Sequence, residues 1–268
     1  FEENSTVVTM GKSTSNIIRA KRMIGGNGGS IGAILTNRIF DNAGDMTTAG
    51  LDFHLHPGSN IHITLHGTAS IHNESDNFEY IYDQSTNDYP STFDDGKYTK
   101  TFDGEKITGN ALGFAINYRD RTDDYGVVLR LRSPGFRTSN GFEKNNSTKW
   151  LKAGRGKTVY YDNHPKLLKT KYNIETVYKT NYTGVIKKQE LSLSTSSDLK
   201  NGDFFKLSGE LEKENFRGIQ FDNLYEFEFG YRNQINSSLK VYNELQSRKI
   251  IVRNLDNPRS SGFYQVKS

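Results

Sequence analysis

Five of the six histidines in this chain fall in one short run, HLHPGSNIHITLHGTASIH, residues 54–72. His54 and His56 are two residues apart, and His62 and His66 are four apart. Neutral imidazole is a ligand for zinc, copper or nickel, and four imidazoles on facing strands of a hairpin could share one ion. The competing reading is plainer. Thr64, Thr68 and Ser70 occupy equivalent alternate positions without ligand chemistry. The histidines then serve as polar residues on a wall that faces water, where they titrate near neutral pH.

Both readings need the same elements beneath them. Leu51, Phe53, Leu55, Ile61, Ile63, Leu65, Ala69 and Ile71 alternate with Asp52, His54, His56, His62, Thr64, His66, Thr68 and His72. Side chains on a β-strand point to opposite faces in turn, so this is one apolar and one polar face. The turn residues Pro57, Gly58, Ser59 and Asn60 fold the run into a hairpin. Twelve residues of clean alternation, 61–72, exceed the usual strand length of roughly 5–6. A strand this long, greasy on one side, suits a large soluble sheet or a barrel wall with lipid outside and water within.

The same period recurs at residues 16–24, 30–40, 47–56, 111–119, 125–132, 171–182, 187–196, 204–214, 219–232 and 239–253. No segment sustains a 3.6-residue apolar period over three turns. Short turns at 25–29, 57–60 and 120–124 occur at alternate junctions, with a long excursion at 73–108 between them. Membrane barrels have this asymmetry of short turns and long loops. On the polar face lie Arg119, Arg130, Arg132, Glu226, Glu228 and Arg232. They either set the ion preference of a pore or form an internal salt-bridge ladder. The ladder is favoured, because a narrow barrel is filled by its own side chains.

Two stretches read as loops. The acidic one is 73–108; its residues 74–105 carry nine carboxylates against two lysines, with Phe78, Tyr80, Tyr82 and Tyr89 among the aromatics. Its rings could stack on sugars, and its carboxylates could take hydroxyls or calcium. The basic one, 144–171, carries eight cations against Asp162 and holds the only tryptophan, Trp150. It could meet anionic headgroups or acidic glycans. A plain solvated loop is the ordinary reading of each.

Composition narrows the class. Only 34% of the 268 residues are hydrophobic, with 15 Tyr and 16 Phe, and mean hydropathy is -0.72. Long alternation and many aromatics separate this pattern from disorder. The absence of cysteine removes disulfide frameworks, thiol catalysis and cysteine-based metal sites. A net charge of +4 does not suggest nucleic acid. No apolar run approaches the ~20 residues of a membrane helix. Met10-Gly11-Lys12-Ser13 lacks the first glycine of a phosphate loop, and Gly26–Ile31 lacks the last glycine of a dinucleotide fingerprint. Carboxylates are plentiful, but no spacing singles out a glycosidase pair.

The segments IIRAKRMIGGNGGSIGAILTNRIFDN and AGLDFHL, with RSPGFRTSNGFEKNN later, resemble a family of Gram-negative envelope proteins. Its members join a family-9-like carbohydrate-binding module to a C-terminal β-rich domain of unknown function. The resemblance covers residues 16–146 and marks the wall, not a catalytic site. It implies an outer-membrane barrel linked to glycan handling or envelope assembly. The carbohydrate module is absent from this sequence. The last residues lack the terminal aromatic common in bacterial barrels, so further strands are expected.

The expectation is an all-β protein: one antiparallel transmembrane β-barrel domain, whole or in part, of about a dozen strands. It would be a channel, a binding platform or a secretion-associated component in the bacterial outer membrane, and not an enzyme. Its partners would be outer-membrane lipid and then glycans or other envelope proteins; no cofactor is expected. The alternative is a secreted β-sandwich or lectin-like module. A carbohydrate-active enzyme on such a sheet is a third, weaker class.

Overall fold

The computed structural model describes residues 11–41, 44–75, 92–99, 103–138, 146–236, 238–254 and 258–267. Among them there is no helix. Fifteen strands follow one another: β1 Ser13–Ile24, β2 Gly29–Phe40, β3 Asp45–Gly58, β4 Ile61–Asn73, β5 Thr92–Phe93, β6 Tyr98–Thr99, β7 Lys106–Arg119, β8 Asp123–Arg132, β9 Thr148–Tyr160, β10 Leu167–Thr180, β11 Ile186–Leu199, β12 Phe204–Phe216, β13 Ile219–Gln234, β14 Lys240–Val252 and β15 Arg259–Lys267. Thirteen of them hydrogen-bond in sequential order, with β1 and β15 at the two ends. β5 and β6 form a separate small hairpin. The protein is thus an all-β antiparallel meander, the strand order of a barrel wall. Its long strands run from 9 to 16 residues.

The chain divides into two compact units, residues 1–115 with 129–149, and residues 116–128 with 150–268. The sequence reads as one domain. The period-2 pattern runs without a break through β7 and β8, both of which contribute to both units, so it carries no mark of the division.

In the first unit, the glycines of the 25–28 turn supply the left-handed backbone at Gly25 (φ 69°) and Gly28 (φ 79°). β3 pairs with β4 so that Phe53 faces Leu65, Leu55 faces Ile63 and Ala49 faces Ala69. A register shift between Leu55 and Gly58 absorbs Pro57, which cannot donate to the ladder. The turn itself is therefore only Ser59-Asn60. The long connections, residues 74–105 and 133–147, leave from one end of this unit. The turns at 25–28 and 59–60 lie at the other, whereas the short step from Phe40 to Asp45 joins β2 to β3 at the long-connection end.

In the second unit, connections are short at both ends. Tyr172 faces Thr195, Leu193 faces Gly209, Leu211 faces Tyr225 and Phe229 faces Leu245. These place apolar side chains of β10 to β14 on one face. Phe216, Phe221, Leu224 and Ile251 form a small buried cluster near the β12–β13 turn.

The stretch expected as a basic loop, 144–171, is largely strand: β9 occupies 148–160 and β10 begins at Leu167. Lys149, Lys152, Arg155 and Lys157 fall on both faces of β9 and hide its alternation. Trp150 is accordingly a strand residue, on the polar-face parity with Lys152. The acidic stretch 73–108 includes the β5–β6 hairpin. Phe78, Tyr80, Tyr82 and Tyr89 lie outside the described residues.

Candidate functional site

The two faces of the sheet differ in a way soluble proteins rarely show. Nine large hydrophobic side chains are buried among the described residues, whereas 37 are exposed. The exposed ones are contiguous rather than scattered: in the second unit Leu193, Leu207, Leu211 and Phe227 are 50–56% exposed on adjoining strands. An apolar area of this extent is larger than monomeric soluble proteins usually leave open. On the opposite face the carboxylates are the sheltered groups. The Glu190, Glu212 and Glu228 side chains are only 13–16% exposed.

That polar face is cross-linked by charge. In the second unit Lys188 Nζ lies 2.8 Å from Glu190 and 3.2 Å from Glu212. Lys206 donates to Glu228 at 2.8 Å, and the Gln246 amide donates to Glu226 at 2.6 Å. Lys152 meets Glu175 at 2.6 Å, Lys267 meets Glu244 at 2.8 Å, and Arg253 grips Glu214 with two parallel bonds of 2.7 and 2.8 Å. Arg119 meets Asp124 at 2.9 Å; Arg232 stacks on Phe204 and lies 4.0 Å from Asp198. Each pair joins same-face positions at short range, which the strand register makes possible. Glu190, Glu210 and Glu212 bring carboxylate oxygens together. Lys188 already supplies the cation there.

In the first unit Arg130 and Arg132 share the polar face with His66. Gly113 makes room for that imidazole: a Cβ at Gly113 would overlap the His66 ring. The four histidines do not converge. His56 and His62 meet edge to face, centroids 4.6 Å apart. His54 Nε2 lies 3.7 Å from Asp52, which also accepts from Arg19 at 3.5 Å and stands opposite His66 in the register. His66 thus stands opposite Asp52 rather than His54, which faces Thr64. Among the described residues, the two groups that gather three ligand atoms are both purely acidic. The register across the shift at Pro57, rather than the sequence spacing, decides this.

At the long-loop end of the first unit, residues 134–137 fold onto the polar face. Phe136 is buried beside Ile107, and the Arg137 backbone N–H donates to Ser70 Oγ at 3.1 Å. The Arg137 guanidinium returns to the Pro134 and Phe136 carbonyls at 2.8 and 3.0 Å and overlies Phe93. Glu74, Asp103 and Glu105 lie close by. Burial, then the Asp103 and Glu105 charges, push the Glu74 carboxyl up to about 7, against the opposing pull of Arg137. Neither Arg137 nor Glu74 stands out in the sequence, because only the loop's return to the sheet joins them.

The pH consequence has a definite sign. With a folded value above the unfolded 4.5, native Glu74 holds its proton over a range in which the unfolded chain has lost it. The stabilisation is complete below about 4.5 and is lost as pH rises through about 7. Discounted for partial exposure, the loss is on the order of 1 kcal/mol. Urea titrations at pH 4.5 and 7.5 should show it, and Glu74→Gln should flatten it; a Glu74→Gln protein with the wild-type pH slope would assign the effect elsewhere.

The short turns are fixed by carboxylates. Asp120 accepts from Tyr118 Oη and from the Thr122 and Asp123 backbone N–H groups, all at 2.7 Å. These bonds push its carboxyl down to about 2. Asp203 accepts from the Gln234 backbone N–H, Asn201 and Tyr231, which also lower it.

No family model, curated protein or solved structure matches this chain. No helix of the described residues is long and apolar enough to cross a membrane, which says nothing about strands.

Proposed function

We propose that the chain is the wall, whole or in part, of a bacterial outer-membrane β-barrel. It acts as an envelope binding platform whose interior is filled by side chains, rather than as an ion-selective channel. One observation carries the reading: the apolar face is the open one and the charged face the sheltered one. Hydrocarbon would solvate Leu193, Leu207, Leu211 and Phe227, which water penalises by about 25 cal/mol per Å². The span also fits. Thirteen residues, as in β12, rise about 43 Å at ~3.3 Å each. A tilt of roughly 40° leaves about 33 Å, enough for the apolar band of ~25 Å. The paired carboxylates support the filled interior, since each pair cancels the field that an open pore would use to select ions. The resemblance of residues 16–146 to an envelope family supports a role in glycan handling.

The test is behaviour in detergent. The full chain is expected to aggregate without detergent, and to migrate faster on a denaturing gel before boiling than after. Planar bilayers should show no steady ion-selective conductance. A monodisperse protein in plain buffer, unchanged by boiling on the gel, overturns the barrel. A stable, salt-dependent conductance overturns the filled interior alone.

A further inference from the structure

Strand β9 carries two cations on the exposed apolar face of the second unit. Lys157 is neutralised there, its Nζ 2.7 Å from Asp123. Arg155 is exposed and lies over the Tyr125 ring at 5.2 Å. Among the described residues no carboxylate pairs with it. A guanidinium on a hydrocarbon-facing surface is unfavourable unless an anion or the headgroup layer receives it.

The surface beside Arg155 is a trough of about 550 Å³ that begins at Arg155 and Lys157. Ile174, Leu193, Leu207 and Phe227 wall it. Its floor is open where Gly209 has no side chain, and the Phe227 ring leans over that gap, 3.0 Å from where a Cβ would stand. Aromatic side chains cluster at the same end of the strands. Tyr118 and Tyr125 pack 5.9 Å apart, and Arg121 lies over Tyr160 at 4.5 Å. Tyrosines gather where hydrocarbon gives way to headgroups; Arg155 reaches Tyr125 from that end, and the trough runs from it across β10 to β13, where Ile174, Leu193, Gly209 and Phe227 stand in one register row.

We propose that this trough seats one acyl chain of an anionic phospholipid, with the lipid phosphodiester against Arg155 and Lys157 beside it. The inference rests on the barrel reading and adds the ligand of its outer surface. Charge complementarity selects the occupant. A guanidinium holds a phosphodiester through parallel N–H bonds, and a trough of leucine, isoleucine and phenylalanine accepts a hydrocarbon chain.

Native mass spectrometry of the full chain, released from detergent after titration with lipid, tests this. Phosphatidylglycerol and phosphatidylcholine with identical acyl chains are the probes. Wild type should retain one phosphatidylglycerol at about tenfold lower concentration than phosphatidylcholine. Arg155→Gln should abolish that preference while still retaining either lipid, and Leu207→Trp, which fills the trough, should weaken both. Lys213→Gln, which removes a cation paired with Asp222, should change nothing. Equal retention of the two lipids by wild type, or an undiminished preference in Arg155→Gln, overturns the site. If Arg155→Gln fails to insert, the wild-type comparison decides alone. Normal heat-modifiable migration with no lipid preference sinks the lipid site and spares the barrel; a detergent-free monodisperse protein sinks both.

Discussion

Leu211→Arg is expected to destabilise the protein in lipid by about 2–4 kcal/mol, the cost of arginine on the lipid face at mid-membrane. Leu211 is the eighth residue of the thirteen in β12 and is 56% exposed. It stands between Leu191 and Tyr225 in the register, on the open apolar face. If that face met water, an exposed leucine could become arginine at a cost within about 0.5 kcal/mol, and solubility would improve. The two solvents therefore predict different results from one substitution. The same change at Ile219, the first residue of β13, should cost only about 0–1 kcal/mol, because the penalty fades towards the interface. Urea unfolding in phosphatidylcholine vesicles, read by tryptophan fluorescence or gel mobility, measures both. Equal, negligible losses at Leu211 and Ile219 would mean that water bathes the face, and the membrane assignment would fall.

Alternation was legible where the two faces differ sharply in chemistry. Residues 61–72 and 219–232 carry aliphatic or aromatic residues against His, Thr and Glu, and β4 and β13 lie where that pattern places them. β9 was hidden by cations on both faces, of which Lys152 reaches Glu175 and Lys157 reaches Asp123. β15 was hidden by its Ser-Ser-Gly start. What no single strand contains is pairing. Lys206 meets Glu228 because β12 and β13 are in one register, and His66 stands opposite Asp52 rather than His54 because β3 and β4 are in another. Sequence parity tells which residues share a face. Which of them touch depends on turn length and register shift, such as the one at Pro57, and these are decided by hydrogen bonding across strands. The ladder expected from Arg119, Glu226, Glu228 and Arg232 needed its partners Asp124, Gln246, Lys206 and Asp198 to be placed before it could be described.

Gly109→Val is expected to unseat the 134–137 loop and to cost about 4 kcal/mol in the first unit. Gly109 shares the polar face with Ile107 and Gly113, and the loop backbone crosses directly over it. A Cβ there would overlap the Phe136 backbone nitrogen and Cα, and a Cβ on Gly135 would overlap the Thr108 carbonyl. Neither obstacle is a flexible side-chain tip, so relief requires the loop to lift. Lifting exposes Phe136, which is 4% exposed in place; burial of such a side chain contributes roughly 1.5–3 kcal/mol. It also breaks the Arg137 N–H bond to Ser70 Oγ and the Asn146 amide bond to the Phe136 carbonyl, each worth about 1 kcal/mol. Ser70 is 2% exposed. Gly26→Ala is the control, since nothing lies within 4 Å of a Cβ there and its backbone is not left-handed. Hydrogen exchange at the Arg137 amide and protease nicking between residues 133 and 138 report the loop directly. Both should rise in Gly109→Val and stay at the wild-type level in Gly26→Ala. An Arg137 amide as protected in Gly109→Val as in wild type would show that the loop is not held at this crossing, and the shelter it gives the polar face and Glu74 would need another cause.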